Sequence, residues 1–445
     1  MSLQWLTPPK ALILGIALMI VMGTFLLSLP AATADGTPLH WLDALFTATS
    51  ALCVTGLSVV DTGTHFSLFG QIIMLILIQV GGVGFVTMAV VISVLIGRRV
   101  GLRERLLVQE SLGQVTFQGM VRLALYTFLL ALAAELAGMI LLWARWQTDL
   151  GPARALWFAI FHSVSAFTNA GFDLFGAVGE SSLQGYRGDL LVNAVIAGLI
   201  VLGSLGLPVL NEIMRWYRTR RFSLHASLVL VTSSLLLAGG AILLFFTKIS
   251  PASSLPQLTF GERVLVSLFQ SASARTGGLT TIPLVDMNPA AWFVIMALMF
   301  IGAATASMGG GVKVNVLGAL LSTLWSVARG RNEIKAFGRT IPRETVYKAL
   351  AVMMGSATFV MVMTIALNMS ESLDPLFLMF EVVSAFGTVG FSLGVTPQLS
   401  DTGKILIAIT MFVGRLGPLT LIAAIARQQQ TVQLIRYPEE KILIG

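Results

Sequence analysis

Three uninterrupted apolar runs constrain the fold more than any other feature of this chain. They read ALILGIALMIVMGTFLLSL at residues 11–29, GQIIMLILIQVGGVGFVTMAVVISVLIG at 70–97 and DLLVNAVIAGLIVLGSLGLPVL at 189–210. Each run reaches the roughly 20 residues that an α-helix needs to cross a bilayer. The 445 residues are 56% hydrophobic and 11% charged, whereas a soluble domain has about 25% charged residues. The sequence therefore predicts an all-α, polytopic membrane protein.

Basic residues are concentrated in alternate connections between the apolar runs. The basic clusters are Arg98, Arg99, Arg103 and Arg105, then Arg215, Arg218, Arg220 and Arg221, then Arg329, Arg331, Lys335, Arg339 and Arg343. The other connections carry Asp35, Asp43, Asp61, Asp149, Asp286, Glu371, Asp374 and Asp401. Short loops rich in Lys and Arg stay on the cytoplasmic side of a membrane. Both termini are therefore predicted to be cytoplasmic, and the net charge of +7 indicates membrane topology and not nucleic-acid binding.

The chain lacks the motifs of an enzyme or a metalloprotein. The first apolar run is too long for the core of a signal peptide, and only Lys10 precedes it. Cys53 is the single cysteine, and the four histidines are not spaced as zinc ligands. No Walker loop, dinucleotide fingerprint, GxSxG or HExxH is present. We therefore expect neither catalysis nor a covalently bound cofactor.

A short segment recurs between the apolar runs. Its copies read ALFTATSALCVTGLS (44–58), AIFHSVSAFTNAGFD (159–173), SLFQSASARTGGLTT (267–281) and LMFEVVSAFGTVGFS (378–392). Each has a Phe near its start, a Ser-Ala step and a glycine followed by Leu or Phe. These key glycines are Gly56, Gly171, Gly278 and Gly390. They lie 107 to 115 residues apart, and the third copy is one residue shorter between its Phe and its glycine. Such a period suits a duplicated membrane hairpin.

Each repeat is predicted to be a span, a short re-entrant segment and a second span. A helix such as 42–52 rises roughly 16 Å, about half the thickness of the hydrocarbon core, so the chain must turn back. Irregular backbone at that depth is tolerated only where it is buried in protein or lines a water-filled cavity. Four such loops around one axis predict a pore with eight full spans.

The predicted boundaries follow from this pattern. First spans lie near 11–29, 120–142, 225–247 and 345–367, and second spans near 70–97, 189–214, 291–327 and 404–427. The repeats then cover 1–105, 106–221, 222–338 and 339–445. Extracellular turns also use Thr and Gly, and secondary transporters with broken helices also contain glycine-rich breaks. Four copies, each with its own helical segment, favour the pore over both alternatives.

The four predicted loops offer backbone oxygens and no acid. They are Cys53, Val54, Thr55 and Gly56; Thr168, Asn169, Ala170 and Gly171; Arg275, Thr276, Gly277 and Gly278; and Gly387, Thr388, Val389 and Gly390. Backbone carbonyls can replace the hydration shell of a cation, and glycine permits the unusual dihedrals that this needs. Calcium and magnesium favour carboxylates, so a monovalent cation fits these loops better. The negative C-terminal ends of the short helices would also favour a cation.

These motifs resemble the Trk/Ktr/HKT superfamily of potassium transporters over essentially the whole chain. The resemblance rests on VTGLSVVDTGT, QVGGVGF, FGTVGF, GRLGPLT and IRYPEE. It implies potassium uptake with K⁺ at the loop carbonyls, a homodimer in the membrane and a cytosolic nucleotide-binding ring as regulatory partner. Relatives with Ser in the first loop are associated with sodium transport, and here that position is Gly56. A sodium-coupled or sodium-permeable transporter is the alternative.

A glycine-rich break and one arginine are predicted to form a gate. The stretch IGAATASMGGGVK at 301–313 interrupts an apolar run, and each interior glycine costs a helix about 1 kcal/mol relative to Ala. The predicted gating residues are Gly302, Ala303, Thr305, Ser307, Gly309, Gly310, Gly311, Lys313 and Arg415. Close helix packing through small residues is the alternative for the break. For Arg415, a clamp on carbonyls or a buried ion pair is the alternative to an electrostatic barrier.

Two further features keep more than one interpretation. Arg275 lies in the third loop, and its side chain is expected to brace the loop from behind, against Glu262, Asp286 or Glu381, because a cation in the ion path would repel K⁺. The basic connection 329–348 is either a docking surface for the regulatory partner or a topological anchor.

Overall fold

The computed structural model describes residues 8–96, 120–180, 182–247, 258–331 and 333–417. The fold is mostly helical. In chain order the helices are α1 (Pro8–Leu27), α2 (Trp41–Cys53), α3 (Thr62–His65), α4 (Leu68–Val83), α5 (Phe85–Leu95), α6 (Met120–Leu150), α7 (Pro152–Thr168), α8 (Leu190–Leu205), α9 (Leu207–Thr219), α10 (Leu224–Phe246), α11 (Phe260–Ser273), α12 (Pro289–Phe300), α13 (Val314–Ala328), α14 (Arg343–Ser370), α15 (Pro375–Gly387) and α16 (Asp401–Leu416). A two-stranded antiparallel hairpin, β1 (Lys335–Ala336) and β2 (Arg339–Thr340), precedes α14.

The same order of elements occurs four times. A long helix is followed by a short helix, an irregular loop and a second helix. The long helices are α1, α6, α10 and α14, and the short helices are α2, α7, α11 and α15. The second helices begin at α4, α8, α12 and α16. The repeat boundaries and the cytoplasmic position of both termini stay predictions, and the cluster Arg98–Arg105 and the motif IRYPEE lie outside the described residues.

Local sequence explains where the second helices begin. A side chain that accepts hydrogen bonds precedes each of them and bonds a free N–H of the first turn. These N-caps are Ser67, Asp189, Asn288 and Ser400. The short helices begin with Pro152 and Pro375 in two repeats and with a capping box between Thr259 and Glu262 in the third.

The second helices of repeats 1 and 2 are broken, and the number of eight full spans stays a prediction. In the described part of the chain, four helices are long and apolar enough to cross a membrane, and the pair α8 and α9, bent by 104°, would make a fifth. The predicted spans 70–97 and 189–214 are each two helices, broken at Gly84 (φ 91°) and Gly206 (φ 79°). A positive φ cannot continue an α-helix. The fourth second helix likewise ends before Gly417 (φ 79°), and the third ends before the predicted break at 301–313.

Two apolar clusters surround the loops that follow the short helices. One is built mainly from repeats 1 and 2 and the other mainly from repeats 3 and 4. Repeats 4 and 1 are not consecutive in the chain. Where they meet, the Lys404 ammonium contacts the Asp43 carboxylate at 2.6 Å. Both side chains are less than one-fifth exposed, so water screens this ion pair only partly. The pair links α16 to the first turn of α2 and so helps to close the ring of repeats.

Candidate functional site

The short helices end in left-handed backbone. The residue after the helix has a positive φ in three repeats, at Val54 (58°), Asn169 (62°) and Thr388 (49°). In the third repeat, which is one residue shorter, Thr276 adopts φ 90°. Three of these four residues are β-branched, for which a positive φ is a genuine outlier. Strain of this kind persists only where surrounding contacts impose it, and it is concentrated at functional sites.

The serine of each Ser-Ala step imposes that backbone. Its carbonyl accepts a hydrogen bond from the N–H of the residue before the key glycine: Ser50 from Thr55 (2.8 Å), Ser165 from Ala170 (2.7 Å), Ser273 from Gly277 (2.6 Å) and Ser384 from Val389 (3.0 Å). The hydroxyls of Ser50 and Ser384 accept the N–H of Gly56 and Gly390 at 3.1 and 3.2 Å. In the other repeats the serine hydroxyl donates to a carbonyl just after the key glycine, Phe172 or Leu279. The Ser-Ala step therefore ties each loop to its own helix, a role that the repeat pattern alone did not indicate.

The four key glycines meet at one place. A Cβ added to Gly56 would lie 2.9 Å from the Cα of Gly171, and one added to Gly171 would lie 2.9 Å from the Cα of Gly278. A Cβ on Gly390 would lie 3.0 Å from the Cα of Gly56. All four have φ between 70° and 95°. The structure thus brings the four predicted loops together in a ring, in the order of the repeats.

Backbone oxygens of the same ring face the neighbouring loops. The carbonyl before each key glycine lies near a Cβ placed on another loop's glycine: Ala170 O at 2.5 Å from that of Gly56, Thr55 O at 2.2 Å from that of Gly390, Val389 O at 2.4 Å from that of Gly278 and Gly277 O at 3.4 Å from that of Gly171. None of these four carbonyls accepts a hydrogen bond from a described residue. Buried carbonyls normally have partners. Four convergent carbonyls without one form a site of negative potential that suits a cation.

The break at 301–313 lies directly against the third and fourth loops. The Gly310 N–H donates to the Thr388 hydroxyl at 2.9 Å, and a Cβ on Gly309 would lie 2.5 Å from the Thr276 hydroxyl. Its other backbone bonds reach repeats 2 and 4, from Met308 N–H to Gly203 O (3.1 Å) and from Gly311 N–H to Gly414 O (3.3 Å). The Lys313 ammonium donates to Gly309 O at 2.7 Å, within the break itself. We call residues 301–313 the intramembrane loop.

Arg415 joins the intramembrane loop to the first repeat. Its guanidinium donates to the carbonyls of Met308 and Gly81, and to that of Gly82 at 3.2 Å. These contacts are those of a carbonyl clamp, one of the arrangements that the sequence left open. In the described part of the chain Arg415 makes no ion pair. A charge below the loops is thus held by backbone dipoles.

Arg275 is directed away from the ring. Its guanidinium lies behind the third loop, donating to the carbonyl of Ser233 on α10 at 3.3 Å and to the Ser233 hydroxyl at 3.2 Å. The predicted bracing role is confirmed, but the partner was wrong, because Arg275 contacts a serine and not a carboxylate. Glu262 bonds to Thr259 at the far end of α11, and Glu381 accepts a hydrogen bond from Thr396. Arg275 therefore contributes backbone to the third loop and keeps its charge outside the ring.

Sequence reasoning missed the glycines that let the second helices approach the loops. A Cβ on Gly81, Gly203 or Gly414 would lie 1.9 to 2.0 Å from the carbonyl oxygen of Leu52, Phe167 or Phe386, at the end of the short helix of the same repeat. The signal was present in QVGGVGF, VLGSLGL and FVGRLGPL. In each motif the first glycine packs against the short helix, and the last glycine has the positive φ at which the second helix ends.

One acid follows a key glycine closely along the chain. Asp173 is two residues after Gly171, at the position of Ser58, Thr280 and Ser392 in the other repeats. It is half-buried in the connection between α7 and α8, and its carboxylate accepts the Phe175 N–H at 3.0 Å. Burial raises the pKa of Asp173 to about 7. Its charge therefore changes near neutral pH.

Comparison with known proteins places this architecture. The family model TrkH, described as a cation transport protein, matches residues 15–434. The chain belongs to the TrkH family. It is 39% identical to the Ktr system potassium uptake protein B of Bacillus subtilis over 445 residues, covering 100% of this chain and 98% of the relative. It is 37% identical to the protein of that name from Vibrio alginolyticus, over 98% of this chain and 95% of the relative.

A solved structure shows the same fold. The potassium transporter TrkH from Vibrio parahaemolyticus superposes with a TM-score of 0.72 at 20% identity, covering 96% of this chain and 86% of that one. This TrkH-family protein is a multi-pass protein of the cell membrane, and its relatives are named as ion transporters and not as enzymes.

Proposed function

We propose that this TrkH-family protein takes up K⁺ across the cytoplasmic membrane through a filter of backbone carbonyls contributed by the four loops. The observation that carries the proposal is the ring of key glycines with its four carbonyls that accept no hydrogen bond from the described residues. The names of the two relatives, both potassium uptake proteins, support the choice of ion. An inside-negative membrane potential adds about 2.3 kcal/mol per charge per 100 mV in the direction of uptake.

The chemistry of the loops favours K⁺ over more strongly hydrated ions. The loops contain no carboxylate, which disfavours Mg²⁺ and Ca²⁺. Carbonyl dipoles can replace the water around a weakly hydrated ion. The αL or near-αL residue in each loop reverses the chain so that consecutive carbonyls face the axis, and the serine ties hold that geometry before an ion arrives.

The intramembrane loop and Arg415 form the proposed gate. The loop lies under the third and fourth loops, and its main-chain bonds run to repeats 2 and 4. Arg415 holds one point of it, the Met308 carbonyl. A guanidinium below a cation filter also raises the energy of a K⁺ that passes. Opening then requires the release of a few hydrogen bonds and no change in the filter itself.

A cytosolic nucleotide-binding subunit is proposed to control this gate, and two chains are proposed to form a dimer in the membrane. The relatives are named as parts of a Ktr system, which supports a partner subunit. The exposed hairpin of β1 and β2 presents Lys335 and Arg339 next to Arg343 at the start of α14, and this basic surface is the proposed docking site. Co-purification of such a subunit with the wild-type chain, and its loss from a Lys335→Glu/Arg339→Glu variant, test the assignment. An unchanged association would place docking elsewhere.

Transport of K⁺ and Na⁺ by the purified protein in liposomes tests the proposed function. We expect K⁺ uptake at an inside-negative potential, with Na⁺ taken up much less well. Gly56→Ser should lower the K⁺/Na⁺ uptake ratio about tenfold, because its Cβ would lie 2.5 Å from the Ala170 carbonyl at φ 90°. Gly198→Ser, where no atom lies within 4 Å of a Cβ, is the matched control. Equal uptake of the two ions by the wild type, or an unchanged ratio in Gly56→Ser, would reject the filter.

A further inference from the structure

A ring of four buried polar side chains lies behind the proposed filter. In each repeat it is the residue after the Phe of the repeated segment, one helical turn before the serine that ties the loop. The four are Thr47, His162, Gln270 and Glu381, and each is 0% exposed. Polar residues are seldom fully buried unless they are paired. The four occupy one repeated position, and we call them the back ring.

Two members of the back ring hold the chain where it leaves the filter. The Leu174 N–H donates to His162 Nε2 at 3.3 Å, while His162 Nδ1 donates to the Phe158 carbonyl at 2.7 Å. The two hydrogen bonds require the same tautomer. The Phe158 carbonyl can only accept, so Nδ1 carries the proton, and Nε2 is then free to accept the Leu174 N–H. The Thr396 hydroxyl donates to Glu381 Oε1. Leu174 and Thr396 follow the key glycines Gly171 and Gly390 by three and six residues.

The other two members make no such contact. The hydroxyl of Thr47 and both amide atoms of Gln270 are buried without a hydrogen-bond partner in the part of the chain that the structure describes. The glycine contacts place the repeats around the ring in sequence order, so repeats 2 and 4 lie opposite each other. The fourfold ring of loops is thus supported from behind at two opposite corners, by an imidazole and a carboxyl group.

We propose that Glu381 and His162 are positioning residues that fix the outer ends of the fourth and second loops and thereby set the discrimination between K⁺ and Na⁺. A carbonyl filter discriminates through the number and the placement of its dipoles. Each of these two loops is already tied by its serine at or within one residue of the key glycine, so a second contact, a few residues later and on the same rigid helix, leaves the segment between them little freedom. Glu381 acts through Thr396, whose hydroxyl also lies 3.1 Å from that of Ser392.

The test measures KM for K⁺ and for Na⁺ in liposomes containing the full-length protein. The selectivity ratio is KM for Na⁺ divided by KM for K⁺. Glu381→Leu and Thr396→Val each remove one side of the same hydrogen bond and should each lower the selectivity ratio about tenfold. Their double variant should be no worse than either single variant, because the lost contact is the same. Glu381→Gln keeps an acceptor for Thr396 and should remain within about twofold of the wild type. His162→Phe should lower the ratio in the same way as Glu381→Leu.

Two controls separate this contact from general effects of core substitution. Thr364→Val removes a hydroxyl bonded only within its own helix, to Val360 O, and should leave the ratio unchanged. Thr47→Val changes a back-ring residue that holds no loop. A loss there as large as in Glu381→Leu would overturn the proposal, as would additive losses in the double variant or a Glu381→Gln variant as impaired as Glu381→Leu.

The inference rests on the proposed function, and the two can fail separately. If the wild type does not prefer K⁺, the proposed function fails. If the wild type prefers K⁺ and Thr396→Val and His162→Phe retain its ratio and its melting temperature, only the positioning role fails. These two variants also decide the question if Glu381→Leu does not fold.

Discussion

One glycine position recurs in all four repeats, but its contacts in repeat 3 differ from those in repeats 1, 2 and 4. This glycine lies thirteen residues after the first residue of the second helix. For α4, α8, α12 and α16 it is Gly81, Gly203, Gly302 and Gly414, respectively. In three repeats this glycine packs on the carbonyl that ends the short helix of that repeat. In repeat 3 a Cβ on Gly302 would instead lie 2.1 Å from Gly310 O, within the intramembrane loop.

The difference explains where a gate can exist. Repeats 1, 2 and 4 have a fixed joint between the second helix and the short helix that carries the proposed filter loop. Repeat 3 has exchanged that contact for one inside its own loop. The intramembrane loop can therefore be rearranged without unpacking the short helix of its own repeat, whereas movement of the other second helices at this point would disturb the proposed filter.

The largest effect is expected from filling a fixed joint. A Cβ in Gly203→Ala would lie 1.9 Å from the Phe167 carbonyl, and backbone cannot easily move away. We expect a loss of about 3 kcal/mol or more, seen as a lower melting temperature or a loss of folded protein. Gly198→Ala, with open space around its Cβ, should melt like the wild type. A stable Gly203→Ala protein would remove the distinction between the repeats.

Deletion of residues 305–311 should have the next largest effect, on transport and not on assembly. The segments that flank the deletion are already paired, since the Gly302 N–H donates to Val312 O at 2.9 Å and the Val314 N–H to Ala303 O at 3.2 Å. We expect ion flux to rise at least about tenfold, since several hydrogen bonds of the closed loop are lost. Size-exclusion chromatography and liposome flux measure the two quantities. Loss of the dimer, or unchanged flux, would contradict the proposed gate.

A smaller effect is expected where the intramembrane loop touches the filter. Thr388→Val removes the acceptor of the Gly310 N–H, a bond worth about 0.5 to 1.5 kcal/mol. Flux should rise about threefold, and it should not rise further when the substitution is combined with deletion of 305–311. Thr410→Val is the control, because its hydroxyl bonds only within its own helix, to Leu406 O. A further rise in the combined variant would show that Thr388 acts on the filter and not through the gate.

The smallest effect concerns the acid found at the outer end of one repeat only. Because the pKa of Asp173 is raised to about 7, its carboxyl is neutral at external pH 6 and charged at pH 8. The charge attracts K⁺, so KM for K⁺ should be about twofold lower at pH 8 than at pH 6. Asp173→Asn should flatten this dependence. Stability should change in the opposite sense to K⁺ affinity. The free energy of unfolding is expected to fall as pH rises between about 4 and 7, because folding raises the pKa of this group.

The sequence predicted the parts of this molecule that repeat. The four segments, their key glycines and the break at 301–313 could be recognised because copies of one pattern can be compared with each other. Lys313 was assigned to the gate as well; its ammonium bonds Gly309 O, and its role in gating stays a prediction.

What the sequence did not show depends on contacts between distant residues. The bends at Gly84 and Gly206 lie inside apolar runs whose hydropathy is the same whether the helix is straight or broken. The partner of Arg275 was expected to be an acid, yet Ser233, 42 residues earlier, satisfies the guanidinium with neutral oxygens. Hydropathy and charge patterns contain no information on such pairings. The back ring was visible in the aligned segments, but only burial distinguishes it from ordinary helix surface.

The third loop can be one residue shorter than the other three because all four quarters belong to one polypeptide. A pore made from four identical subunits carries any deletion four times around its axis, so an irregular corner cannot occur alone. Here a single mutation changes a single corner of the ring and leaves the sequence of the other three unchanged. A single chain therefore allows one quarter of the proposed filter to acquire a regulatory role that the other three quarters do not share.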